Sequence, residues 1–220
     1  MIPGVMRMLL VLAAVAVPVG LALALFVAPV EAFQGEPYRI LYVHVPSVAT
    51  AYLAFTVTFA ASVAYLITRR GRFDRLAGAS AEIGQVFLTV VLLTGPIWGK
   101  PVWGVWWTWD ARLTTALILW FIFAGYLMLR AWSGAQGARA AAVVAIVGFL
   151  DVPLIHWSAV LLRTLHPRPT VFRPEGPALP GSMLVVLLFN IAAFVLTYLA
   201  FLTVRVRQEA AREQLSQAGP

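Results

Sequence analysis

The sequence predicts an all-α integral membrane protein of six transmembrane helices, N-in and C-in, with its informative loops on the outer face. Three observations carry that expectation. First, 61% of the 220 residues are hydrophobic and 11% charged, and the mean hydropathy is +0.87. Soluble domains carry about 25% charged residues. Second, six apolar runs approach the roughly 20 residues that cross a bilayer. Third, the basic residues are unevenly divided between the two sides that those runs create.

The runs fall at about 8–30, 48–68, 81–98, 113–132, 140–157 and 182–204. The first follows Arg7 and is too long for a typical signal-peptide core, so it is expected to be a retained helix. In the second, Pro46 favours an extended Val45, and Ser47 is placed to cap the helix that follows. The fifth carries Asp151 just before Pro153. An intramembrane carboxylate is a functional suspect, although here it can also satisfy backbone groups freed at a proline kink. Asn190 in the sixth suits interhelical hydrogen bonding. No connecting loop is long enough for a soluble domain, so 1–220 reads as one six-span membrane domain.

Orientation follows from the cations. Arg7, Arg69, Arg70, Arg72, Arg75, Arg130, Arg139, Arg205, Arg207 and Arg212 share one side; Arg39, Lys100, Arg112, Arg163, Arg168 and Arg173 share the other. Ten against six, with four arginines in one short loop, sets the first side in the cytoplasm. The tail from Arg205 to Pro220 alternates Arg and Glu and reads as a solvated helix end. The net charge of +7 is thus accounted for by membrane topology rather than by nucleic acid. Zero cysteines exclude disulfide exchange, thiolate–metal sites and covalent c-type haem attachment.

The outer loops are 31–47, 99–112 and 158–181. Five of the eight tryptophans lie between Trp98 and Trp109, where even scattering would place fewer than one. Interfacial anchoring ordinarily uses one or two per helix end. The excess suits a platform for a large flat ligand built from Trp103, Trp106, Trp107 and Trp109, a heavy aromatic belt being the plainer alternative. Asp110 argues against a simple lipid anchor, which needs no carboxylate. Arg112 either pairs with Asp110 or reaches a ligand carboxylate. Arg39 and Lys100 add cations suited to haem propionates or to headgroup phosphates.

Three histidines complete the set: His44, His156 and His166. Bis-imidazole ligation of haem iron needs rings on opposite faces of the porphyrin. If the run between them is helical, His156 and His166 lie about 15 Å apart along one axis and pair poorly. The natural pairing is His44 with one of those two, and His166 is preferred because it lies in the loop proper.

The string Trp103-Gly104-Val105-Trp106-Trp107-Thr108-Trp109-Asp110-Ala111-Arg112-Leu113-Thr114 closely resembles the tryptophan-rich "WWD" signature of haem-handling proteins. Tyr38-Arg39-Ile40, Val43-His44-Val45-Pro46, Gly99-Lys100-Pro101, Ile155-His156-Trp157-Ser158 and Thr164-Leu165-His166 narrow the resemblance to the C subunit family of the cytochrome c maturation system (CcmC or HelC, haem exporter protein C). The match is highly specific, runs from about residue 36 to 168, and extends to length and span number. The resemblance implies haem b held at the periplasmic face between His44 and His166 as axial ligands. It sets the tryptophan-rich loop against the porphyrin and Arg39 and Arg112 nearby. It further implies delivery to a periplasmic haem chaperone (the cytochrome c maturation E protein). The implied neighbours are an ATP-binding cassette pair (the A and B proteins of the same system) and its small single-span D protein. The setting it implies is the bacterial inner membrane, without turnover chemistry. The proline-rich stretch after His166 (Pro167, Pro169, Pro174, Pro177, Pro180) departs from the pattern and bears on partner docking.

Two other classes stay open on the residues. A membrane b-type cytochrome in quinone-linked electron transfer would bury histidine pairs within spans, and no span here has two histidines on one face. A permease subunit would show polar or broken helices at the midplane.

Overall fold

A computed structural model describes residues 3–162, 164–166, 171 and 176–218. Arg163, Arg168, Arg173, Pro167, Pro169 and Pro174 lie outside the described residues. The elements are α1 (Pro3–Ala22, continued by a π turn, Leu23–Val27), α2 (Leu41–Thr68), α3 (Gly71–Trp103), α4 (Ala111–Ser133), α5 (Ala138–Phe149), α6 (Asp151–Leu161) and α7 (Gly181–Ala218). A 3-10 turn, Glu36–Ile40, precedes α2. Among the described residues there is no strand, only an isolated bridge between Glu31 and Gly35. Six helical stretches are long and apolar enough to cross a membrane, α5 and the start of α6 together forming the fifth. The protein is an all-α, multi-pass membrane protein.

Two helix boundaries correct the sequence reading. α2 begins at Leu41 and runs straight through Pro46, so Val45 is helical, and Ser47 bonds back to the Val43 carbonyl (2.7 Å) instead of capping. Leu41, Tyr42, Pro46 and Ser47 are all buried, and packing of this turn outweighs the local preference against helix before proline. His44 is therefore held on a helix, not in a loop. α3 likewise continues five residues past the expected end, through Pro96 and Pro101, and leaves 104–110 as the true loop. Its end is fixed by Lys100, whose carbonyl accepts the Gly104 N–H (3.0 Å) and whose ammonium bonds the Gly104 carbonyl (2.9 Å). Gly104 adopts φ 78°, the left-handed cap conformation that glycine takes without strain.

The main core joins α2, α3, α4 and α5, with Phe55 stacked on Phe123 at 4.0 Å. A second cluster at the opposite end from the Asp74–Arg130 pair joins Ala24, Tyr38, Tyr42, Met183 and Leu187, with Trp98 packed against it. Asp151 opens α6 after the break at Leu150. Its Oδ2 is buried without a partner. Asn190 donates to the Gly20 carbonyl (3.1 Å) and holds α7 on α1, the interhelical role read from the sequence. A Cβ on Gly20 would lie 2.5 Å from Asn190 Oδ1, and Asn190 is fully buried and tied to Val186 as well. Gly20→Ala is expected to destabilise the protein by about 1–3 kcal/mol through overpacking. An unchanged melting curve in detergent would count against this close approach.

Candidate functional site

The site gathers at the ends of α2, α3 and α4 and in the segment after α6. His44, in the first turn of α2, bonds through Nδ1 to Thr94 Oγ1 on α3 at 2.8 Å. Its ring meets Trp98 edge-on, centroids 5.8 Å apart. Trp98 itself donates to Gln34 Oε1 (2.9 Å) and packs on Tyr38, which makes it a structural support. Trp103 stands edge-on to His166, centroids 5.1 Å apart. A Cβ on Gly95 would lie 3.6 Å from His44 Cε1, and Gly95 lines the same cleft as His166. Two histidines from distant parts of the chain thus stand near one cleft.

Beside His166 is a narrow cleft lined by Gly95, Gly99, Trp103, Trp106 and Trp107, among others. It encloses about 10 Å³ of space open to water, roughly one molecule's worth. Trp107 is half-buried, and its indole N–H is buried without a partner, which leaves a donor uncommitted at the cleft wall. Trp106 is 59% and Trp109 76% exposed. The loop 104–110 is not helical. The four platform tryptophans are not equivalent: Trp103 and Trp107 are partly buried in the cleft wall, Trp106 lines it but is largely open, and Trp109 is exposed with its ring edge-on to Trp107 (5.7 Å).

Asp110 sits at the centre of this arrangement. It caps α4, accepting the Leu113 N–H at 2.9 Å. Its other oxygen accepts from Thr164 at 2.7 Å and from Thr108 at 3.3 Å, and lies 3.6 Å from His166 Nδ1. Burial pushes the carboxyl up, but the bonds from Leu113 and Thr164 outweigh it and hold Asp110 below its ordinary value. Asp110 is thus an anion at neutral pH. Burial and the Arg112 guanidinium lower His166 from its ordinary 6.5, against the opposing pull of Asp110. His166 is therefore neutral, and able to offer a lone pair, down to a lower pH than a free histidine.

The cations are less available than the sequence suggested. Arg39 is paired with Glu36 and donates to the carbonyls of Ala24 (2.6 Å) and Ala28 (3.0 Å), capping the end of the first span. Arg112 makes no hydrogen bond to Asp110; it reaches the Ile155 and His156 carbonyls at 3.4 and 3.5 Å. Those bonds are long and leave it the freer of the two. His156 lies on α6, its ring edge-on to Trp157 (5.8 Å). α6 stops at Leu161, so His156 and His166 do not share one helix. Sequence reasoning missed Thr94, Thr164 and Gln34. The signal for Thr94 was its spacing of four from Trp98, which sets the two on one face of an otherwise apolar run.

The chain is similar to known proteins over nearly its whole length. Residues 1–219 match the family model of "Heme exporter protein C" (CcmC). A protein of that name from Haemophilus influenzae is 38% identical over 197 residues, 89% of this chain and 80% of its own. Another from Bradyrhizobium diazoefficiens is 37% identical over 192 residues, 86% of this chain and 72% of its own. A "Putative cytochrome c biosynthesis ccmC-like mitochondrial protein" from Marchantia polymorpha is 37% identical over 186 residues, 84% of this chain and 79% of its own. Specific motifs, six apolar helices and a match to the full-length family model agree, and the chain belongs to the haem exporter protein C (CcmC) family.

Proposed function

We propose that the chain holds haem b at the periplasmic face of the bacterial inner membrane and hands it to a periplasmic haem chaperone, without turnover chemistry of its own. This refines what family membership gives, a role in haem handling for cytochrome c biogenesis. The observation that carries it is the placement of His166 in the tryptophan cleft and of His44 against Gly95 in the wall of that cleft. The donor set fits an iron porphyrin. Two neutral imidazoles supply axial ligands, indole faces supply the flat apolar wall, and Arg112, the less committed of the two arginines, supplies a carboxylate partner. Asp110 holds the His166 segment in place rather than touching the ligand.

The cleft in its present form is far smaller than a porphyrin. A porphyrin fits there only if the cleft widens. Partners consistent with this role are the cytochrome c maturation E chaperone, the ATP-binding cassette pair of A and B proteins and the small single-span D protein. Membrane lipid surrounds the rest.

The decisive measurement is an absorption spectrum of the purified protein, with and without the chaperone. Low-spin bis-imidazole bands that move to the chaperone on mixing are expected. A haem-free protein that gains none from added haem would overturn the proposal. Topology is tested separately with reporter fusions. Those at Arg72 and Ala218 should be cytoplasmic and one at Gly176 periplasmic; a periplasmic signal at Arg72 would invert the assigned faces.

A further inference from the structure

Each of the two histidines is held through the same ring nitrogen by a threonine hydroxyl whose own proton is already committed. Thr94 donates its only hydroxyl proton to the Val90 carbonyl at 2.7 Å. Towards His44 it can therefore act only as an acceptor, and the 2.8 Å contact is a bond from Nδ1–H of the ring to Thr94 Oγ1. Thr164 donates to the Asp110 carboxylate at 2.7 Å, and a carboxylate only accepts. Thr164 in turn accepts from the His166 backbone N–H (3.2 Å) and faces His166 Nδ1 at 3.3 Å. With Asp110 Oδ2 also 3.6 Å away, every group facing that nitrogen is an acceptor. Nδ1 carries the proton in both rings.

A neutral imidazole protonated at Nδ1 has its lone pair at Nε2, and neither Nε2 makes a hydrogen bond within the described residues. The bond made by one ring nitrogen decides which face of the ring the other presents to a metal. We propose that Thr94 and Thr164 are positioning residues that preset the Nε2–lone-pair tautomer of His44 and His166, so that both rings meet iron already correctly protonated and oriented. The assignment rests on the haem-binding reading above.

The two arms differ in backing. Thr164 leans on a carboxylate, a charge-assisted bond, whereas Thr94 leans on a backbone carbonyl. Both threonines act without touching the ligand. Beside Thr94 on α3, a Cβ on Gly95 would lie 3.6 Å from His44 Cε1, and Trp98 meets the ring edge-on.

The test uses the full-length protein with ¹⁵N-labelled histidine, first without haem. The ring-nitrogen shifts distinguish a protonated from a bare nitrogen, and His44 and His166 should both show Nδ1–H with bare Nε2. Thr94→Val keeps the shape and removes the acceptor. It should mix the tautomers of His44 alone and lower haem retention about 10–100-fold, the usual cost of losing an outer-shell partner. Thr164→Val should do the same to His166 alone, while Thr94→Ser and Thr164→Ser should restore wild-type shifts and retention. Wild-type rings found as Nε2–H, or valine variants with unaltered shifts, would overturn the proposal even if haem is bound. If the shifts behave as expected but His44→Ala and His166→Ala leave the haem spectrum intact, the tautomer assignment stands and the haem ligation is wrong.

Discussion

Replacing His166 by Ala is expected to leave the protein inserted but nearly devoid of retained haem, and His44→Ala should do the same. Each change removes one axial ligand supplied by a separate part of the chain. The loss should exceed the roughly 10–100-fold that an outer-shell partner typically contributes. His156→Ala is the control, because that ring sits against Trp157 on α6 and only its backbone carbonyl meets Arg112. Haem per protein, read from the absorption spectrum and normalised to membrane abundance, checks the series. If His156→Ala abolishes the bis-imidazole bands while His166→Ala keeps them, the pairing is wrong. A further gradient is expected among the tryptophans. Trp103→Ala and Trp107→Ala should reduce retention severely and Trp109→Ala mildly, since Trp109 is 76% exposed.

The largest effect on stability is expected at the opposite end of the bundle. Arg130 grips Asp74 with both terminal nitrogens, at 2.5 and 3.0 Å, and lies over the Tyr126 ring. The two side chains are only 21% and 20% exposed. Arg130→Met strands a half-buried carboxylate at the start of α3. Breaking a buried pair costs about 3–5 kcal/mol, and partial solvation here brings the expectation to the lower end, about 3 kcal/mol. Adding Asp74→Asn to that variant should recover part of the loss, because the stranded charge is then gone. Thermal unfolding in detergent measures both. Haem stoichiometry in the surviving folded protein should be unchanged, since Arg130 is about 29 Å along α4 from Ala111.

Much of the fold was legible because a bilayer leaves few options: backbone polar groups must bond internally, and runs of apolar residues become helices. All six runs proved helical. Proline misled at Pro46, because local preference was overruled by burial of the surrounding turn. The candidate site was legible as a set of residue types on one face. Its internal division of labour was not. Trp98 was counted in the tryptophan cluster with no role of its own, and its bond to Gln34 sets it bracing the outer core. Arg39 looked free until Ala24 and Ala28 claimed it. The ties of Arg205 to Glu82 and of Arg75 to Glu213 span more than a hundred residues and have no local signature.

α3 is 33 residues long, about 50 Å of continuous helix. It carries Asp74 and Glu82 near one end and Thr94, Trp98 and Trp103 near the other. Both groups are clamped by neighbours, the acids by Arg130 and Arg205, and Thr94 by His44. The helix therefore keeps two angular settings in phase. One residue inserted between Glu82 and Thr94 turns the far group by about 100°, swinging Thr94 off His44 while the acids stay engaged. Four inserted residues nearly restore the angle but raise the far group by about 6 Å. No insertion meets both conditions, so the number of residues between Glu82 and Thr94 is itself under constraint, whatever their identity.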